Sequence, residues 1–143
     1  MADGFEVLTQ DHRNVAQLFA EFESTGDDVI ARRICDALVE HTYAEERALY
    51  PRLRAELSNG PELAEQAEEE HAAIEHLIAR VLETPPPDLR PIMRAMREDV
   101  EAHVQEEEQQ LFPAMREAGT DAEQLGAELE EAEEKFRLRV TAR

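Results

Sequence analysis

The sequence has one cysteine, Cys35, no tryptophan, and only five phenylalanines and two tyrosines in 143 residues. A lone thiol excludes an intramolecular disulfide framework and the thiolate-rich zinc patterns, and Cys35 reads as a small buried residue. Basic residues are scarce as well: 15 Lys and Arg stand against 34 Asp and Glu, a formal charge of −19. Such a field repels nucleic acid and anionic lipid headgroups and draws in cations, so neither polyanion is expected as a partner. No apolar run is long enough to span a bilayer, and the opening MADGFEVLTQDHR lacks both the basic and the apolar regions of a signal peptide. A cytoplasmic, reducing setting is therefore expected.

Runs of alternating β-branched residues are missing too, whereas apolar residues recur every three or four positions. The fold class expected is all-α. Asp3 can cap a first helix carrying Phe5, Leu8, Val15, Leu18, Phe19 and Phe22, which stops at STGDD. Asp27 or Asp28 can cap a second, with Ile30, Ile34, Leu38, His41 and Glu45 on one stripe, kinked at Pro51 and ending near Leu57. Ser58-Asn59-Gly60-Pro61 is a stop and restart. A third helix then carries Leu63, Ala67, His71, Ile74 and Ile78 to about Glu83. After the stiff Thr84-Pro85-Pro86-Pro87-Asp88 connector, a fourth runs from Leu89 to Glu117 with a kink at Pro113. Gly119 ends it, and Thr120 or Asp121 caps a last segment with Leu125, Leu129, Ala132, Phe136 and Val140. The architecture expected is an up-down-up-down four-helix bundle over residues 1–118, its second and fourth helices kinked, with a short C-terminal amphipathic helix over 119–143 packed on it.

The chain repeats itself. HTYAEERALYP at 41–51 and HVQEEEQQLFP at 103–113 share a skeleton of His, Glu four places on, and an apolar, aromatic, proline ending. DHRNVAQLFAEF at 11–22 similarly aligns with EHAAIEHLIARV at 70–81. A duplicated helical hairpin follows, in which His12 corresponds to His71, His41 to His103 and Glu45 to Glu107. One His-x3-Glu is weak in a chain this rich in Glu. The strength lies in four matched histidines near mid-helix, on or beside apolar stripes, where polar groups are costly unless paired or metal-bound. Four imidazoles and two carboxylates at one core level are the chemistry of a dinuclear metal site, with open positions for a small ligand. The competing reading is four core histidines held by hydrogen bonds alone. A ferritin-like centre uses Glu-x-x-His pairs, which the repeats here do not supply. A His and carboxylate set without thiolate suits iron, with manganese or zinc behind it.

The order His12, His41-x3-Glu45, His71, His103-x3-Glu107, with its Leu-Tyr-Pro and Leu-Phe-Pro endings, resembles the hemerythrin-like domain of the HHE cation-binding family over residues 5 to 117. The resemblance implies two iron ions in an oxo- or hydroxo-bridged centre, one held by His12 and His41, the other by His71 and His103, with Glu45 and Glu107 bridging. O2, peroxide or nitric oxide would be the small-molecule partner. The family's oxygen carriers place a further His one turn after the third-helix ligand, where this chain has Glu75. They also use an Asp five places after the last His, where it has Glu108, with Glu107 at four. Reversible O2 carriage is thereby disfavoured, and Glu75 becomes a candidate extra ligand. His76 is expected at the surface and Tyr43 pointing away; Tyr50, about 180° round from His41, is expected in core packing beyond the kink, with the kink itself able to redirect its hydroxyl. Three functions remain open: a diiron protein that binds or reacts with a small oxidant, a catalase-like or peroxidase-like enzyme with Glu46, Glu75 or Tyr50 as proton donor, and an iron-responsive interaction module without turnover.

Overall fold

Asp3 starts the first helix as its sequence position suggests: its carboxylate accepts from the N–H groups of Phe5 and Glu6, two of the donors a helix start leaves unpaired. This helix, α1 (Gly4–Thr25), closes on Gly26, whose φ of +67° is the left-handed cap that glycine adopts without a side-chain penalty. Asp27 caps α2 (Asp28–Ala44), accepting from Val29. The computed structural model describes residues 2–141, and they contain no strand. After α2 come α3 (Tyr50–Glu56), α4 (Gly60–Glu83), a 3₁₀ turn at Pro86–Asp88, α5 (Leu89–Glu106), α6 (Phe112–Glu117) and α7 (Ala122–Thr141). Asp121 caps α7 by accepting from Gln124.

The two expected proline kinks take a specific form. Pro51 has no N–H, and its ring crowds the carbonyl four residues back, so an α-turn cannot run through it undisturbed. The chain widens into a π-turn at Glu45–Leu49, closed by the Tyr50 N–H bonding to the Glu45 carbonyl. Glu107–Leu111 before Pro113 does the same, closed by Phe112 N–H on Glu107. Each such turn takes an extra residue to go round, so residues beyond it face a direction that a uniform 100° per residue does not give.

Helices α1, α2, α4 and α5 pack in cyclic order, α1 on α2, α2 on α4, α4 on α5 and α5 on α1, which is the up-down-up-down bundle. Their apolar stripes form two clusters separated along the bundle axis. One holds Val15, Phe19, Ile34, Leu38, Ile74, Met96 and Val100. The other holds Phe5, Leu8, Leu49, Leu53, Ala67, Phe112 and Met115, together with Leu125 and Leu129 of α7. At about 2 kcal/mol for each large apolar side chain buried, these clusters offset the cost of the polar layer between them. Helix α7 lies on α1 and α2 and spans 20 residues, within the 119–143 segment expected for it. Gly4 and Gly126 let it approach the start of α1: a β-carbon on Gly126 would collide with the Ala2 carbonyl. Its far end departs from the expected stripe, since Phe136 is only half-buried and Val140 is 53% exposed. The helix outruns the bundle it leans on.

Candidate metal centre

Between the two apolar clusters sit His12, His41, His71, His103, Glu45 and Glu107, all buried. His12 and His71 lie near the middle of α1 and α4, His41 and His103 in the last turns of α2 and α5 just before the π-turns, and the antiparallel order brings the four to one level. His12 Nε2 and His41 Nε2 lie 3.2 Å apart, and so do His71 Nε2 and His103 Nε2. The carboxylates enter from the π-turn side. Glu45 Oε1 is 3.1 Å from His71 Nε2 and 3.3 Å from His41 Nε2; Glu107 Oε1 is 3.2 Å from His12 Nε2, and its Oε2 is 3.2 Å from His103 Nε2. Two ligand groups result, His12, His41, Glu45 and Glu107 in one and Glu45, His71 and His103 in the other.

Every imidazole is held from behind by a second carboxylate. His12 Nδ1 meets Glu108 at 2.6 Å, His41 Nδ1 meets Asp11 at 3.2 Å, His71 Nδ1 meets Glu46 at 3.0 Å and His103 Nδ1 meets Glu70 at 2.6 Å. A carboxylate only accepts, so each Nδ1 carries a hydrogen and each Nε2 is turned to the interior, where it offers a lone pair whenever the ring is neutral. Two facing lone pairs repel one another, and either a proton or a metal cation shared by the pair relieves this. The carboxylates make the same demand, for Glu45 Oε2 and Glu107 Oε1 are buried without a hydrogen-bond partner. Glu107 Oε1 is near His12 Nε2 but outside hydrogen-bonding geometry.

The electrostatics agree. Burial pulls the His41 imidazole pKa down, but Glu45, Asp11 and Glu107 outweigh it and hold it well above the usual range. The same contest lifts His71 to about 9, with Glu45 and Glu46 prevailing over burial, and raises His103 through Glu107, Glu45 and Glu70. Burial would raise Glu45, yet His41, His103 and His71 hold it well below the ordinary carboxylate range. In the bare chain protons take the place that a metal cation would fill.

Tyr50 stands where uniform helical phase does not put it. The π-turn rotates it inward, and its hydroxyl lies 3.0 Å from His71 Nε2, 3.1 Å from Glu107 Oε2 and 3.4 Å from Glu45 Oε1. Burial first, then the Glu45 and Glu107 charges, push its pKa well above that of a free phenol. Its repeat partner Phe112 has no hydroxyl and stacks on His12, with ring centroids 6.2 Å apart and planes 7° from parallel. Tyr43 does point away, packing on Phe136 beneath Arg47. Glu75 is exposed and joins neither ligand group. Helix α4 runs antiparallel to α2, so a step of four from His71 leads toward Ile78 and away from the carboxylates. His76 is exposed, as expected. Burial pushes the Cys35 thiol up to about 11, an inert group in the apolar cluster.

On the side of the histidines away from Tyr50 lies a cavity of about 20 Å³, walled by His12, His41 and His103 and by the apolar Val15, Leu38, Ile74 and Val100. Space of that order holds one water-sized molecule. A larger furrow of about 500 Å³ between α3 and α7 has no histidine in its lining.

A protein named "DNA nickase" from Nostoc sp. (strain PCC 7120 / SAG 25.82 / UTEX 2576) is 28% identical over 143 residues, covering 94% of this chain and 40% of its own length. The chain thus spans about two-fifths of that relative. No solved structure matches. The profile of the hemerythrin HHE cation binding domain matches residues 3–87, which contain His12, His41, Glu45 and His71, while His103 and Glu107 lie beyond the match. With more than half of its length matched and a buried His and Glu cluster suited to a metal, this chain belongs to the hemerythrin HHE cation-binding domain family.

Proposed function

We propose that the chain is a non-haem diiron protein that binds or reacts with a small oxidant: O2, peroxide or nitric oxide. The observation that supports this best is the pair of converging Nε2 couples, 3.2 Å each, flanked by Glu45 and Glu107, each of which has one buried carboxylate oxygen without a hydrogen-bond partner. His12 and His41 would hold one iron, His71 and His103 the other, with Glu45 and Glu107 shared between them. Iron suits a set of imidazoles and carboxylates without thiolate, and two such ions leave coordination positions free. Iron, when bound, supplies ferrous–ferric redox chemistry.

The chain's own residues do the rest. Glu108, Asp11, Glu46 and Glu70 fix the rings' tautomer and orientation. The apolar wall of the small cavity excludes bulk water from the open side. Tyr50 holds the one phenolic hydrogen in hydrogen-bond reach of the inner carboxylates, so a proton for a bound reactant is available from its oxygen. That donor supports a reactive role over simple carriage. A charge of −19 opposes binding to a polyanion, and DNA nicking, which the Nostoc relative's name describes, is not our reading for this chain.

Metal content and the ultraviolet–visible spectrum of protein from iron-replete cells test the proposal. Two irons per chain, with oxo-to-iron charge-transfer absorption in the near ultraviolet, are expected. Steady peroxide consumption would then identify an enzyme, and iron-dependent folding without turnover an interaction module. No iron after reconstitution would overturn the reading.

A further inference from the structure

We infer that small neutral reactants reach the centre through the groove between α1 and α5, and that Ala16 keeps this side open; the inference rests on the histidine layer being the reacting centre proposed above. The groove encloses about 350 Å³, and its lining includes Phe19, Val100 and Val104 as well as His12 and Glu108. His12, Val100 and Val104 also wall the inner cavity of about 20 Å³. The same three side chains therefore face the outer space on one side and the inner on the other. Val104 is only half-buried, so a rotamer change there, of the kind partly exposed side chains make in picoseconds to nanoseconds, can connect them.

The internal repeat supplies the comparison. Ala16 corresponds to Glu75, Val104 to Thr42 and Glu108 to Glu46, which places the counterpart of this groove between α4 and α2. There the small apolar residue is replaced by a longer, charged one. The histidines differ in the same sense, since His12 is 7% exposed and its counterpart His71 only 1%. Tyr50 adds to the asymmetry, because its hydroxyl reaches His71 while Phe112 covers His12 with a bare ring. A reactant would thus arrive from the His12 side and meet the hydrogen donor on the other.

The lining also selects. An apolar passage admits O2, nitric oxide or peroxide far more readily than a hydrated ion, whose desolvation is costly. Arg97 at the rim is paired with Glu23 and Glu101, so it offers little to draw an anion inward.

The test reads the passage independently of iron chemistry. Methyl relaxation by dissolved O2 is measured on the full chain, zinc-loaded or, should it retain no metal, metal-free. Methyls of Val100 and Val104 are expected to relax severalfold faster than those of Leu53, which is fully buried in the other apolar cluster. Ala16→Phe should remove that excess and Glu75→Phe should not; both positions are exposed, so both variants are expected to fold, which circular dichroism checks. In the iron-loaded protein Ala16→Phe should slow nitric oxide association severalfold with its equilibrium binding unchanged, and Val104→Ala should speed it. No excess in the wild type, or an excess that survives Ala16→Phe, overturns the passage whatever the metal content. A chain that shows the excess yet binds no metal overturns the proposed function and leaves the passage standing.

Discussion

Glu45→Gln is the substitution that probes the centre most sharply, because it keeps the side chain's shape and removes only its charge. Glu45 is fully buried, with Oε1 at 3.1 Å from His71 Nε2, 3.3 Å from His41 Nε2 and 3.5 Å from His103 Nε2. At that range one charge pair is worth about 5 kcal/mol at an effective dielectric of about 20. Removing one member of a buried pair typically costs about 3–5 kcal/mol, because the other is left uncompensated. At about 1.4 kcal/mol per factor of ten, metal affinity should fall by roughly a hundred- to several-thousand-fold. Since Glu45 touches histidines of both couples, both metals of the proposed dinuclear centre should leave together. The assay is metal content per chain during titration with a competing chelator, with circular dichroism to verify that the helices remain. A Glu45→Gln protein that keeps two metals with affinity within about tenfold of wild type, a shift of only about 1.4 kcal/mol, would refute the shared-carboxylate argument.

Three further outcomes follow from the same geometry. Glu108→Gln, which weakens the 2.6 Å support behind His12, should lower metal affinity by about 10- to 100-fold as read by chelator competition, and Glu46→Gln should do the same at His71. Tyr50→Phe should leave the metal content intact while destabilising the metal-free chain by about 1–3 kcal/mol, because the hydroxyl's buried partners lose a hydrogen bond; chemical denaturation measures it, and an unchanged midpoint would count against the inward placement of the ring. Metal-free protein should be less stable at alkaline pH: the folded pKa of His71 is about 9 against 6.5 for the free group, so its contribution is complete below 6.5 and lost as pH rises through 9. Metal binding, which needs that nitrogen deprotonated, should strengthen over the same interval, and thermal melts with and without metal across it should therefore diverge.

The bundle and the six inner side chains were legible in the sequence because they obey the simplest periodicities: apolar residues at helical spacing, and a His-x3-Glu written twice at matched places. Tyr50 was not. Nine residues after His41 it should face away from that imidazole on a regular helix, and only the π-turn forced by Pro51 brings it in. Its signal was present all the same, in a proline directly after the aromatic residue in both repeats. The supporting carboxylates could also have been found. An acidic residue directly precedes His12 and His71, and another directly follows Glu45 and Glu107, a recurrence hidden in a chain where acids are everywhere. Glu75 misled in the opposite way, because proximity to His71 along the helix says nothing of which end of the layer it faces. Val140 shows a different limit: amphipathic spacing continues past the point where a neighbour exists to cover it.

The crossing of carboxylates between the two hairpins has a consequence for how the protein is made. His12 comes from the first hairpin but leans on Glu107 and Glu108 of the second, whereas His41 is held by Asp11 and Glu45 of its own. His71 belongs to the second and leans on Glu45 and Glu46 of the first. Neither half carries a finished cage. A growing polypeptide would have to release the segment containing Glu107 and Glu108 and close the halves upon each other before it could grip an ion firmly. Premature capture of stray cations by a half-made chain is disfavoured by this division of labour, and loading becomes a late seal on a bundle already assembled.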